Sequence, residues 1–185
     1  MADKIHLQLL ITGLGSSLVP WIWSRWAAKL EKALLALYKD RDDVLVLRAS
    51  SDGLGEKRLF ATAKDLFNNK ALASLCIAGH SNGFRDGLLG CAQLYPEVKV
   101  NYFAGIDMAL LDGVYGAEAK GSIKVFDEFH AQLEYANFHK SFKSPKNVHH
   151  LFEVKKGHTA AASDEFVQSR IFNQFVTIAE GGNAR

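Results

Sequence analysis

Gly79-His80-Ser81-Asn82-Gly83 interrupts an otherwise apolar run, LCIAGHSNGFRDGLLG, at residues 75–90. The spacing Gly-x-Ser-x-Gly suits a serine held at the tip of a sharp turn between a strand and a helix, with its hydroxyl projecting from the sheet. The strain of such a turn is tolerated because the elements on either side hold it. The positions two before and two after the serine approach each other closely, so glycine fits both. A hydroxyl is a poor nucleophile alone and needs a histidine base, which a carboxylate usually orients. The plainer alternative is a strand-to-helix loop in which Ser81 only caps the helix.

Seven histidines are available as the base. His158, in VKKGHTAAASDEF, follows the last strand-like run and precedes the last helical one, so its loop opens at the sheet edge that Ser81 uses. His6 falls inside the first strand, and His80 reads as a turn and packing residue. His149 and His150 are adjacent and face opposite ways in a strand. His130 and His139 fall in loops or a short helix. Two carboxylates compete for the orienting role. Asp107, in YFAGIDMA, sits just past the fourth strand, where its side chain can enter the site without displacing core. Asp127, in KVFDEF, lies among Val125, Phe126 and Phe129 and can instead point to solvent. Asp107 is favoured, Asp127 is the alternative acid, and Asp112 is a weaker third.

These residues need a scaffold. Strand-like runs occupy 5–11, 44–49, 72–78, 98–105, 122–129 and 147–154. Helical spacing covers 22–38 (Trp23, Trp26, Ala27, Leu30, Leu34, Leu37), 57–68 (Leu59, Phe60, Ala63, Leu66, Phe67), 84–94 and 164–179 (Val167, Ile171, Phe175, Ile178). Pro20 suits the start of the first helix, Pro96 the end of the third, and Ser163 the N-cap of the last. Strand and helix alternate, and several strands are continuously apolar. That pattern predicts an α/β fold, a three-layer sandwich around a mostly parallel sheet of about six strands. One domain over residues 1–185 is expected, since no repeat, linker or composition shift divides the chain.

Composition narrows the function. The formal net charge is +2, with Lys and Arg scattered among Asp and Glu, which argues against nucleic acid as a partner. Cys76 and Cys91 read as buried, unreactive thiols. No run reaches the roughly 18 apolar residues of a membrane span, so no stable membrane insertion is expected. The start, MADKIHLQLLITG, shows no signal peptide. A cytoplasmic location is therefore expected, with viral origin or unusual export as alternatives. No His-x-x-x-His, cysteine pair or carboxylate cluster offers a zinc site, and the expected chemistry needs no metal or cofactor. The loop TGLGSS lacks the Gly-Lys-Ser/Thr ending of a phosphate loop and the third glycine of a dinucleotide fingerprint.

TGLGSS at 12–17, GHSNG at 79–83, GID at 105–107 and GHT at 157–159 together resemble the α/β-hydrolase superfamily, whose order is Ser, then Asp, then His. The resemblance spans residues 5–179. It is similar to the small lidless lipases and cutinases, without the first two strands of the larger members. GIDMA resembles the Gly-Leu-Asp-Pro-Ala stretch of pancreatic-type lipases, with Met108 in place of proline, which favours Asp107. Phe84 departs from the second glycine that many lipases carry there. The resemblance implies an oxyanion hole from the main-chain N–H groups of Asn82 and of Leu14 or its neighbour Gly15.

Leu18, Trp21, Met108 and Leu111, with Leu14 and Leu110, are candidates for an apolar substrate pocket, and equally for core. The reading that follows is a serine hydrolase cleaving a carboxylic ester, or a thioester or amide with the same apparatus, through Ser81, His158 and Asp107. Its partner would be a small-molecule or lipid-like acyl ester. The chain would be a monomer or homodimer. A non-catalytic α/β-hydrolase-fold protein with a binding or structural role is the alternative. A flavodoxin-like binding protein would explain the sheet but not the serine turn and late histidine.

Overall fold

The computed structural model describes residues 4–13, 24–51, 55–107, 122–131 and 148–184. Among them six strands form one sheet: β1 (Ile5–Thr12), β2 (Val44–Ser50), β3 (Leu72–His80), β4 (Val100–Ile106), β5 (Ile123–Ala131) and β6 (Val148–Val154). Their order across the sheet is β2-β1-β3-β4-β5-β6, and every neighbouring pair is parallel. Parallel pairing sends all six carboxyl ends to one edge, and the order places β3, which leads into Ser81, near the middle.

Five helices are described: α1 (Arg25–Leu37), α2 (Gly55–Asn68), α3 (Asn82–Leu94), α4 (His158–Ala161) and α5 (Glu165–Ala179). Helices α1 and α5 cover one face of the sheet. Trp26, Leu30, Leu34, Val167, Ile171 and Phe175 pack there on Leu10, Ala78, Tyr102 and Phe129. Helices α2 and α3 cover the other, where Phe60, Phe84 and Leu88 meet Leu9, Ile77, Phe103 and Phe126. Burial on both faces explains why the central strands β1, β3 and β4 are largely apolar. The result is a three-layer α/β sandwich.

The differences from the sequence reading are local. Leu37 and Phe67 end their helices exposed rather than in the core. The N-cap of α5 is Asp164, not Ser163: its carboxylate accepts from the N–H groups of Phe166 (3.0 Å) and Val167 (3.4 Å). The carboxylate also faces the positive end of the helix dipole, which a hydroxyl would do less well. Strand β3 runs on to His80 and α3 starts at Asn82, so the turn between them is a single residue. Cys76 and Cys91 are buried free thiols, and burial pushes both well above the usual thiol range. No described helix is long and apolar enough to cross a membrane.

Candidate active site

Ser81 is the whole connection between β3 and α3. It takes φ 59° and ψ −125°, a conformation costly for an L residue. Its N–H donates to the Ile106 carbonyl at 3.0 Å, which ties the turn to the end of β4. Both glycines of the motif are required by contact. A Cβ at Gly79 would run into the Gly83 carbonyl, and one at Gly83 into the Ile11 carbonyl. Gly13, just past β1, lies against the serine itself: a Cβ there would sit 3.0 Å from Ser81 Cβ and 3.4 Å from its Oγ. Phe84 fills the space that Gly105 leaves, since a Cβ at Gly105 would meet its ring. That ring also packs on Phe103 and Phe126 at 5.7 and 5.8 Å between centroids. The residue that departs from the lipase pattern thus braces the floor under the turn.

Asp107 follows β4 directly, with φ 37°. Its N–H donates to the Phe129 carbonyl at 2.8 Å. Its buried carboxylate accepts from the Ala131 N–H through Oδ1 (3.1 Å) and from His158 Nδ1 through Oδ2 (2.5 Å). An ionised carboxylate only accepts, so Nδ1 carries the hydrogen and Nε2 of a neutral His158 keeps its lone pair. His158 opens α4, with Gly157 as N-cap, and its side chain is one-third exposed. A ring with one nitrogen held by a buried acid and the other a free base is equipped to take a proton.

Asp127 is elsewhere. It pairs with Ala104 in the β4–β5 register, below the carboxyl edge, and is fully buried rather than turned to solvent. Its Oδ2 accepts from the Tyr102 hydroxyl (2.8 Å) and Arg170 Nε (2.7 Å). Its Oδ1 accepts from His150 Nδ1 (2.7 Å) and Arg170 Nη2 (3.3 Å). Burial and then the adjacent carboxylate raise the Tyr102 phenol well above its usual value. On the opposite face Glu128 accepts from His149 Nε2 at 2.8 Å, and His130 Nε2 lies 3.3 Å from its other oxygen. His149 and His150 therefore do face opposite ways, each toward a buried carboxylate of β5.

His80, a turn and packing residue by its place in the sequence, has a specific partner in the structure. Its Nε2–H donates to the main-chain carbonyl of His158 at 3.0 Å. The two rings lie 4.8 Å apart between centroids. Burial, and then the neighbouring His158, lower its pKa to about 4. Position alone hinted at this, since the residue before the serine ends a strand beside the loops at the carboxyl edge. Asn82 is the first residue of α3, where main-chain N–H groups have no partner within the helix. Leu14, Gly15, Leu18, Trp21, Met108, Leu110, Leu111, Asp112 and His139 lie outside the described residues. A groove of about 370 Å³ between α1 and α5, lined by residues such as Lys29, Ala33, Gln168 and Phe172, is remote in composition from this site and includes none of its residues.

No family model matches the chain, and no curated protein matches it. Among solved structures it is similar to Est1E from Butyrivibrio proteoclasticus, with a TM-score of 0.59 and 14% sequence identity over 97% of this chain and 90% of that one. At that identity the likeness speaks to the fold. With the strand order and the serine turn, the fold is a minimal α/β-hydrolase fold.

Proposed function

We propose that this chain is a serine hydrolase that cleaves a carboxylic ester, with Ser81 as nucleophile, His158 as base and Asp107 as the acid that orients it. One observation carries the reading most: Asp107 holds His158 Nδ1 at 2.5 Å from its place beside the peptide that anchors Ser81. The likeness of the fold to Est1E, an esterase by its name, supports ester hydrolysis as the general chemistry.

In the first step Ser81 Oγ attacks the ester carbonyl carbon and its proton passes to His158 Nε2. The carbonyl electron pair moves onto oxygen, and the Asn82 N–H and a second N–H from the loop after β1 (that of Leu14 or Gly15) receive the oxyanion. Main-chain donors are fixed before the charge develops, and one such donor contributes roughly 3 kcal/mol. Collapse of the intermediate breaks the bond to the alkoxy oxygen, which takes the proton from His158 and leaves as the alcohol. Water then attacks the acyl-enzyme, again giving its proton to His158, and the acid is released with Ser81 restored. Asp107 stays ionised throughout and stabilises the imidazolium. A thioester would follow the same course with a thiol leaving group. An apolar pocket formed by Leu18, Trp21, Met108 and Leu111 would suit an acyl chain.

Hydrolysis of p-nitrophenyl esters of increasing acyl length, beside the matching thioesters, tests this reading. Turnover that Ser81→Ala abolishes supports it. Turnover that survives Ser81→Ala, or none on any chain length by folded protein, rejects it.

A further inference from the structure

We infer that His80 is a positioning residue for His158, clamping the main chain of the same residue whose ring Asp107 holds. The inference rests on the reading of His158 as the base. His80 is almost fully buried, yet among the described residues only Nε2 is used, as donor to the His158 carbonyl, while Nδ1 has no hydrogen-bond partner there. A buried acceptor left unpaired costs free energy that an apolar side chain of similar shape would avoid. Packing alone therefore favours a different residue here, and the donor bond is what histidine adds.

The bond joins parts of the chain that are 78 positions apart. His158 sits at the start of a four-residue helix after the loop that leaves β6, a short element with little rigidity of its own. Asp107 holds one ring nitrogen of His158 and His80 holds its carbonyl, so the ring keeps its place against Asp107 only while the main chain is held. His80 is itself braced by Trp26 of α1, whose ring meets it edge-on at 6.3 Å between centroids. The clamp is also electrically suited to its place. His80 is neutral near neutral pH and puts no positive charge beside a ring that must accept a proton. Lysine or arginine could donate the same bond but would oppose the imidazolium.

The test compares His80→Gln, whose amide nitrogen can reach the Nε2 position, with His80→Phe, which keeps a flat ring and loses the donor. His80→Leu is the second donor-free variant, used if the phenyl ring is not accommodated. In ¹⁵N-histidine-labelled protein the ring-nitrogen shifts of His158 report its tautomer without reference to activity. The clamp predicts a single Nδ1–H tautomer in wild type and His80→Gln, and shifts averaged between tautomers in the donor-free variants. On a short ester the donor-free variants should lose about 10- to 100-fold in kcat with KM little changed, as expected of a displaced base. Gln should restore most of that loss. Unchanged tautomer shifts and kcat in a folded donor-free variant, or equal losses in Gln and Phe, would overturn the inference. A protein inactive on every ester whose His158 shifts still follow the donor would reject the proposed function while leaving the clamp standing.

Discussion

Ser81 and Asp107 are linked through one peptide group. The Ser81 N–H donates to the carbonyl of Ile106, and the N–H of that same peptide, belonging to Asp107, donates to Phe129. Both residues have positive φ, 59° and 37°. The sheet ladder thus runs one step past the ends of β3 and β4, and main-chain bonds set the spacing between hydroxyl and carboxylate. Side chains can then be changed at either position without moving the other.

Asp107→Asn should accordingly separate chemistry from structure. Asparagine tolerates positive φ, so the backbone should stay in place. The amide cannot hold His158 as the carboxylate does, and kcat should fall about 10⁴-fold with thermal stability little changed. Asp127→Asn should behave in the opposite way. It leaves the Arg170 guanidinium without its buried counter-charge and takes the carboxylate acceptor from His150, which should cost about 3 kcal/mol in chemical denaturation, with kcat within about threefold of wild type once folded. The reverse pattern would make Asp127 the acid.

The motif glycines give a second prediction, on stability. In Gly83→Ala the new methyl meets the Ile11 carbonyl, which belongs to the central β1 ladder and cannot swing aside. A loss of about 2 kcal/mol or more is expected from urea unfolding, with reaction of Ser81 with a fluorophosphonate lost in parallel. An alanine variant as stable as wild type would mean that the turn is looser than this packing allows.

Acid should destabilise the protein partly through His80. Its folded pKa of about 4 lies below the ordinary 6.5, so the unfolded chain binds the proton more readily. This contribution is complete above about pH 6.5 and is lost as pH falls toward 4, amounting to about 3 kcal/mol at the acid end. The charged or titrating groups beside the ring are His158, which lowers its pKa, and Asp107, which raises it. Melting temperatures of His80→Gln should fall less steeply between pH 6.5 and 4 than those of wild type. Parallel curves would contradict the assignment.

Capping gives a smaller and cleaner effect. Asp164→Ala removes the acceptor for two N–H groups at the start of α5 and should cost about 1 kcal/mol without altering kcat. Asp164→Ser should recover part of it.

Much of the scaffold was legible in the residues because continuous apolar runs and helical spacing mark buried strands and amphipathic helices directly. The serine turn was legible for a different reason: its glycine spacing answers to close main-chain contacts, Gly79 with Gly83 and Gly83 with Ile11 of β1. What sequence left open depended on register. Asp107 and Asp127 both sit beside apolar strand residues. Only the pairing of Ala104 with Asp127 shows that one lies in mid-strand and the other past the end. The bond from His80 to His158 was hidden because it depends on where a loop 78 residues away returns. The four-residue α4 is too short to leave a periodic signal.

The most direct test of the account is covalent. Purified protein treated with a fluorophosphonate, which reacts with activated serines, and read by intact mass should gain a single adduct. The adduct should be absent from Ser81→Ala and form much more slowly in His158→Ala. Folded wild-type protein that takes up no adduct, or an adduct that persists in Ser81→Ala, would contradict Ser81 as the nucleophile.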